Sequence, residues 1–98
     1  MQVRFADPKL DRLEIDPDYD GDYAAEAVRG YRKVMQLIRA AFDERDLYAL
    51  RSLNFEKLQG NRVGQHSLRL NKQWRLIVMI EKSDPKNIVV VIEIVDYH

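Results

Sequence analysis

The sequence contains no cysteine. That excludes a disulfide framework, a thiolate nucleophile and a thiolate metal site. It holds two histidines, His66 and His98, and neither sits in an HExxH or in a His/Asp cluster at metal-ligand spacing. Glycine is scarce, with four residues, and none of them builds a phosphate-cradling loop. Neither a metal nor an organic cofactor is therefore expected. No apolar run approaches the ~20 residues of a membrane span. The opening MQVRFADPKL lacks the apolar segment of a signal peptide, so a cytoplasmic protein with no membrane partner is expected. A chain of 98 residues is expected to form one domain, residues 1–98, with one sheet and two or three helices.

Net charge is also absent, but the zero hides an asymmetry. Residues 1–28 carry 3 Lys/Arg against 8 Asp/Glu, and residues 29–98 carry 13 against 8. Between residues 51 and 75 lie Arg51, Lys57, Arg62, Arg69, Lys72 and Arg75, opposed by Glu56 alone. A basic segment of this kind suits a polyanionic partner. Basic residues that merely solvate strand edges would give the same count.

Gln2 to Phe5 alternates and reads as a strand. Asp7-Pro8 opens a short helix with Leu10 and Leu13 on one face, because Asp caps free N–H groups and Pro fits the first turn. Asp16-Pro17 ends it. From Tyr23 to Phe42 apolar residues recur at steps of three and four: Val28, Tyr31, Met35, Ile38 and Phe42, widened by Val34, Leu37 and Ala41. That stripe predicts a helix packed on a sheet. Gly30 interrupts it and implies close backbone packing. Asp43 to Ser52 continues as looser helix. The period then changes to strands over Gln65–Leu70, Trp74–Ile80 and Ile88–Val95. The last two are apolar at both parities, which places them centrally. The short connections predict antiparallel neighbours. The expected order is β-α-α-β-β-β, an α+β domain with helices on one face of an antiparallel sheet.

Asp16-Pro-Asp-Tyr-Asp-Gly21 imitates the start of a calcium loop. Such a loop needs a bidentate Glu at its twelfth position, and here that residue is Ala27. An acidic solvated loop is the better reading, with Asp20 or Asp22 available to cap the following helix.

What is left for chemistry is Arg, Lys, His, Tyr and carboxylates. Those types suit metal-free RNA cleavage. The 2′-OH attacks its own phosphate, so a base, an acid for the 5′-oxygen and cations on the pentavalent phosphorus are required. Arg fits the last task through its planar fork, and His fits the first two.

The segment Phe55 to Arg75, with Leu58, Gly60, Arg62, then Ser67, Arg69, Asn71, Gln73, Trp74 and Arg75, is similar to the signature of HigB/RelE-like toxins, and the ending Asp96-Tyr97-His98 matches theirs. The resemblance implies the RelE-like fold and the toxin of a type II toxin–antitoxin pair. It implies an endoribonuclease that cuts messenger RNA in the A site of the 70S ribosome. It also implies a helix-turn-helix antitoxin of the HigA type as partner. On this resemblance His98 is the acid/base candidate and Arg75 the transition-state clamp, with strand pairing to Glu93 as the alternative for Arg75. Arg69 is a second phosphate contact, Tyr97 a base-stacking ring, and Asp96 either orients His98 or caps the strand end. Lys57, Gln59, Arg62 and Lys72 are the expected RNA contacts. Gln59 departs from the family, which often has Lys there; Lys57 could substitute. His66 is expected to be a hydrogen-bonded structural residue, and Trp74 a core residue. A gyrase-poisoning ParE-like toxin and a catalytically weak member that mainly binds its antitoxin are the competing readings.

Overall fold

The computed structural model describes residues 1–96; Tyr97 and His98 lie outside them. The elements are β1 (Gln2–Phe5), α1 (Pro8–Ile15), α2 (Ala25–Ala40), α3 (Glu44–Ala49), β2 (Glu56–Lys57), β3 (Gln65–Arg69), β4 (Trp74–Glu81) and β5 (Ile88–Asp96), with 3-10 turns at Arg51–Leu53 and Gly60–Arg62. The sheet runs β1-β5-β4-β3-β2, so β4 and β5 are interior strands, as their two-sided apolar pattern predicts.

The α+β architecture is the expected one, with two differences. A two-residue strand, β2, extends the sheet beyond β3. The sheet is also not wholly antiparallel. β2 to β5 follow one another antiparallel, but β1 lies parallel to β5. Short hairpins force the antiparallel pairs. β1 is joined to the rest through the helices, and a connection that long permits a parallel neighbour.

The helices start and stop for local reasons. The Asp7 carboxylate accepts the Lys9 N–H at 2.9 Å and Pro8 opens α1. Arg32 on α2 closes the other end, donating to the carbonyls of Leu13, Asp16 and Tyr19. A cation at the Leu13 carbonyl, in the last turn of α1, is favourable. α2 begins at Ala25, later than its apolar stripe suggests. Asp20 does not cap it: its carboxylate accepts the Asp22 N–H at 2.9 Å, and Asp22 itself has φ +65°. The N-cap is Ala24, without a side-chain bond. The Met1 ammonium donates to the carbonyls of Ile38, Arg39 and Ala41 at the C-terminus of α2. Phe42 lies past that terminus and is exposed, not in the core, with the Lys86 ammonium 3.8 Å above its ring.

One core lies between the helices and the sheet. Tyr31, Met35 and Ile38 of α2, Leu10 and Leu13 of α1, and Leu47 meet Leu68, Leu76, Val78, Val89 and Val91. The Tyr31 hydroxyl donates to the Leu10 carbonyl at 2.6 Å, so this buried phenol is satisfied. Gly30 lets α2 come close to the β3–β4 connection, where an added Cβ would stand 2.6 Å from the Leu70 carbonyl oxygen. In the acidic loop, Asp16 accepts the Asp18 N–H and pairs with Arg12. Among the described residues no cluster of three or more His, Cys, Asp or Glu could hold a metal ion, and no helix is long and apolar enough to cross a membrane.

Candidate functional site

Strand alternation gives the sheet two unlike faces. Leu68, Leu76, Val78, Val89 and Val91 point to the helices. The opposite face carries Glu56, Ser67, Arg69, Arg75 and Glu93, because the register sets Glu56 beside Ser67, Arg69 beside Arg75 and Ile77 beside both Ser67 and Glu93.

Arg75 is the centre of that face. It is 8% exposed, unusual for an arginine. Its Nη1 donates to Ser67 Oγ at 3.3 Å and reaches the Asn54 carbonyl at 3.4 Å. The same nitrogen is 3.7 Å from Glu56 Oε1. Asn54 sits in the left-handed region, φ +44°, and ends the 3-10 turn that delivers the chain to β2. The turn thus aims a carbonyl at Arg75 while β2 aims a carboxylate. Glu56 is half exposed, so one side of the ion pair is open to solvent. Arg69 is exposed and donates from Nε to the Asn71 carbonyl at 3.2 Å.

The other expected residues spread out from this centre. Arg62 donates to the Gln65 side chain at 3.0 Å and forms the ion pair with Glu93. The pairing weighed for Arg75 therefore belongs to Arg62, and Arg75 takes Glu56 instead. Gln59 is exposed and precedes Gly60, whose φ of +66° makes the turn into the 3-10 segment. Lys72 is exposed on the β3–β4 connection, where Asn71 Oδ1 accepts the N–H groups of Gln73 and Trp74 at 2.8 Å each. Asp96 pairs with Trp74 across β4–β5 and accepts from Gln73 Nε2 at 3.1 Å. Tyr97 and His98 lie outside the described residues.

A model of the RelE-like toxins of the HigB type II toxin–antitoxin system matches residues 3–98. The chain belongs to the HigB-like toxins. No curated protein matches its sequence. Its fold is similar to that of the YoeB/ParE toxin from Agrobacterium tumefaciens, with 19% identity, full coverage of both chains and a TM-score of 0.61. It is similar to YoeB in the YoeB–YefM complex from Staphylococcus aureus, with 16% identity, 100% and 97% coverage and a TM-score of 0.58. YafQ from E. coli strain BL21(DE3) shares the fold with 13% identity, 97% and 91% coverage and a TM-score of 0.58.

In this HigB-like toxin, Lys57 does not join Arg75. Alternation along β2 sends Glu56 to the open face and Lys57 to the other, beside His66. His66 stacks on Phe55 with ring centroids 4.7 Å apart and planes 10° from parallel. Its Nδ1 is buried with no hydrogen-bond partner among the described residues, so stacking holds it where a hydrogen bond was expected. Burial, and then the nearby Lys57 ammonium, push its pKa below the ordinary histidine value. Trp74 shares the parity of Leu76 and Val78 but is only half-buried and stands outside the core cluster, so it is not the core residue that was expected.

Two residues were missed as site members. Ser67 stood in the family signature without a role. Glu56 was visible only as the single acid among six cations. Its place beside Arg75 depends on the register of a two-residue strand, which carries too little pattern to be read from sequence.

Proposed function

We propose that this HigB-like toxin is an endoribonuclease that cleaves messenger RNA in the ribosomal A site and so stops translation. The observation that carries the reading is Arg75, held by Ser67 and Asn54 beside the half-open carboxylate of Glu56, with Arg69 across the strand. A buried, pre-oriented guanidinium is fitted to charge that develops on a phosphoryl group, because it needs no reorganisation as the charge appears. Glu56 is fitted to take the 2′-OH proton as that oxygen attacks phosphorus. His98 donates a proton to the departing 5′-oxygen, and Asp96 orients it. The products are a 2′,3′-cyclic phosphate and a free 5′-hydroxyl. Arg69 makes a second phosphate contact and Tyr97 stacks on a base. Arg62, Gln59 and Lys72 contact the strand more remotely.

The proposed partners are the 70S ribosome with its messenger RNA and a helix-turn-helix antitoxin of the HigA type, in the cytoplasm where ribosomes work. The relative from Staphylococcus aureus occurs in a complex with YefM, and a cognate antitoxin is proposed for this chain by analogy. Primer extension on messenger RNA after induction tests the activity, with Arg75→Ala and His98→Ala as controls. Cleavage products that vanish in both variants support the reading. A DNA-damage response without messenger cleavage would replace it with gyrase inhibition.

A further inference from the structure

A cleft of about 370 Å³ lies on the helix side of the sheet and is lined by Tyr48, Phe55, Lys57, His66, Lys82 and Asn87, with Glu44 and Ile80 completing it. Three aromatic rings form one wall. Tyr48 meets the Phe55 ring edge-on with centroids 4.7 Å apart, and Phe55 stacks on His66. Phe55 is buried, while Tyr48 keeps 49% of its surface exposed. Lys57 and Lys82 are exposed and form no ion pair among the described residues, whereas Arg4, Arg39, Arg45 and Arg62 are all paired. Glu44, the single carboxylate lining the cleft among the described residues, already accepts from Asn87 Nδ2 at 2.8 Å. The cleft therefore offers a ring face, two uncommitted cations and a polar amide.

Its position matters as much as its lining. β2 is an edge strand of two residues, and it links the two faces of the sheet. Glu56 looks toward Arg75; Lys57, the next residue, looks into the cleft. A flexible polyanion at Arg75 has only this edge to cross to reach Lys57. Single-stranded nucleic acid is held by cations that track its phosphates and by aromatic rings that stack its bases.

We propose that the cleft receives the messenger strand where it leaves the Arg75 face across β2, one base resting on Tyr48 and its flanking phosphates lying between Lys57 and Lys82. The proposal rests on the endoribonuclease reading. The test uses ribosomes programmed with a messenger that carries 4-thiouridine at positions flanking the A-site codon and 2′-deoxy sugars within it, alongside cleavage kinetics on the normal messenger. Illumination crosslinks the flanking 4-thiouridine to the segment containing Tyr48 or Lys57. In Lys57→Glu/Lys82→Glu and in Tyr48→Ala, all exposed positions, KM rises about tenfold with kcat nearly unchanged. Arg75→Ala lowers kcat instead. Wild-type kinetics in both cleft variants, with cleavage intact, overturn the proposal and leave the endoribonuclease reading standing. A raised KM without any messenger crosslink also overturns it, since the cleft then grips ribosomal RNA. A wild-type protein that cuts no programmed messenger sinks both.

Discussion

Arg69 and Arg75 are direct partners across β3 and β4, two like charges at one register. Like charges so placed weaken a sheet. The side chains part: Arg75 turns to Ser67 and is buried, and Arg69 turns to the Asn71 carbonyl and is exposed. On the proposed function both cations grip one phosphodiester, so the like-charge pairing is kept at some cost in stability. Arg69→Gln is thus expected to raise stability by roughly a few tenths of a kcal/mol, read as a higher urea midpoint at unchanged slope. The same variant cleaves programmed messenger about tenfold more slowly, since one charge-assisted phosphate contact is lost. A variant that is less stable and fully active would reverse the assignment.

The Glu56–Arg75 pair separates two roles that one deletion would blur. Glu56→Gln keeps the shape and the acceptor oxygen but cannot take a proton at neutral pH. Its single-turnover cleavage rate falls on the order of a hundredfold, as for loss of a general base. Arg75→Ala costs about a hundredfold or more, as for loss of a fixed transition-state cation. Circular dichroism spectra matching wild type are expected for both, which separates the rate losses from unfolding. If Glu56→Gln cleaves at the wild-type rate, Glu56 only seats Arg75, and the proton goes elsewhere.

The parts of the molecule governed by local chemistry were legible in the chain. Asp7-Pro8 starts α1, the stripe from Val28 to Ile38 faces the core, and the β-branched runs of β4 and β5 lie at the centre of the sheet. What could not be read is set by distant partners. The direction of β1 follows from where the helices return the chain, and the Met1 ammonium finds its carbonyls 37 or more residues away. The site divides along the same line. Arg75, Arg69 and Ser67 stood in the signature, while Glu56 becomes meaningful only when β2 pairs with β3. Lys57, a natural stand-in for the missing family Lys at Gln59, is carried to the far face by that same pairing.

Gly30 makes a packing prediction with competing terms. In an exposed helix Gly→Ala gains roughly 1 kcal/mol from propensity. Here the new methyl would lie 2.6 Å from the Leu70 carbonyl oxygen. That oxygen cannot retreat freely, because the Leu70 N–H is tied to the Trp74 carbonyl at 2.9 Å. Overpacking typically costs about 1–3 kcal/mol, so the clash wins. Gly30→Ala is expected to lower Tm by about 4–8 °C, roughly the response of a domain this size to 1 kcal/mol. A Tm at or above wild type would mean that α2 slides off the β3–β4 connection at little cost.

His66 gives the fold an acid-side dependence whose sign is fixed by its surroundings. The ring is stacked on Phe55, burial opposes its charge, and Lys57 adds repulsion that the Glu44 carboxylate only partly offsets. Its folded pKa therefore lies below the unfolded value of about 6.5. Below that value the unfolded chain takes up a proton that the folded ring resists, so stability falls as pH drops from about 6.5 toward the folded pKa. Above it the ring is neutral in both states and the full contribution is present. His66→Phe keeps the stack on Phe55 and removes the titration. Urea midpoints measured from pH 7.5 down to 5 are expected to fall less steeply in His66→Phe than in the wild type. Parallel profiles would mean that the imidazole titrates in the folded protein as freely as it does in the unfolded chain.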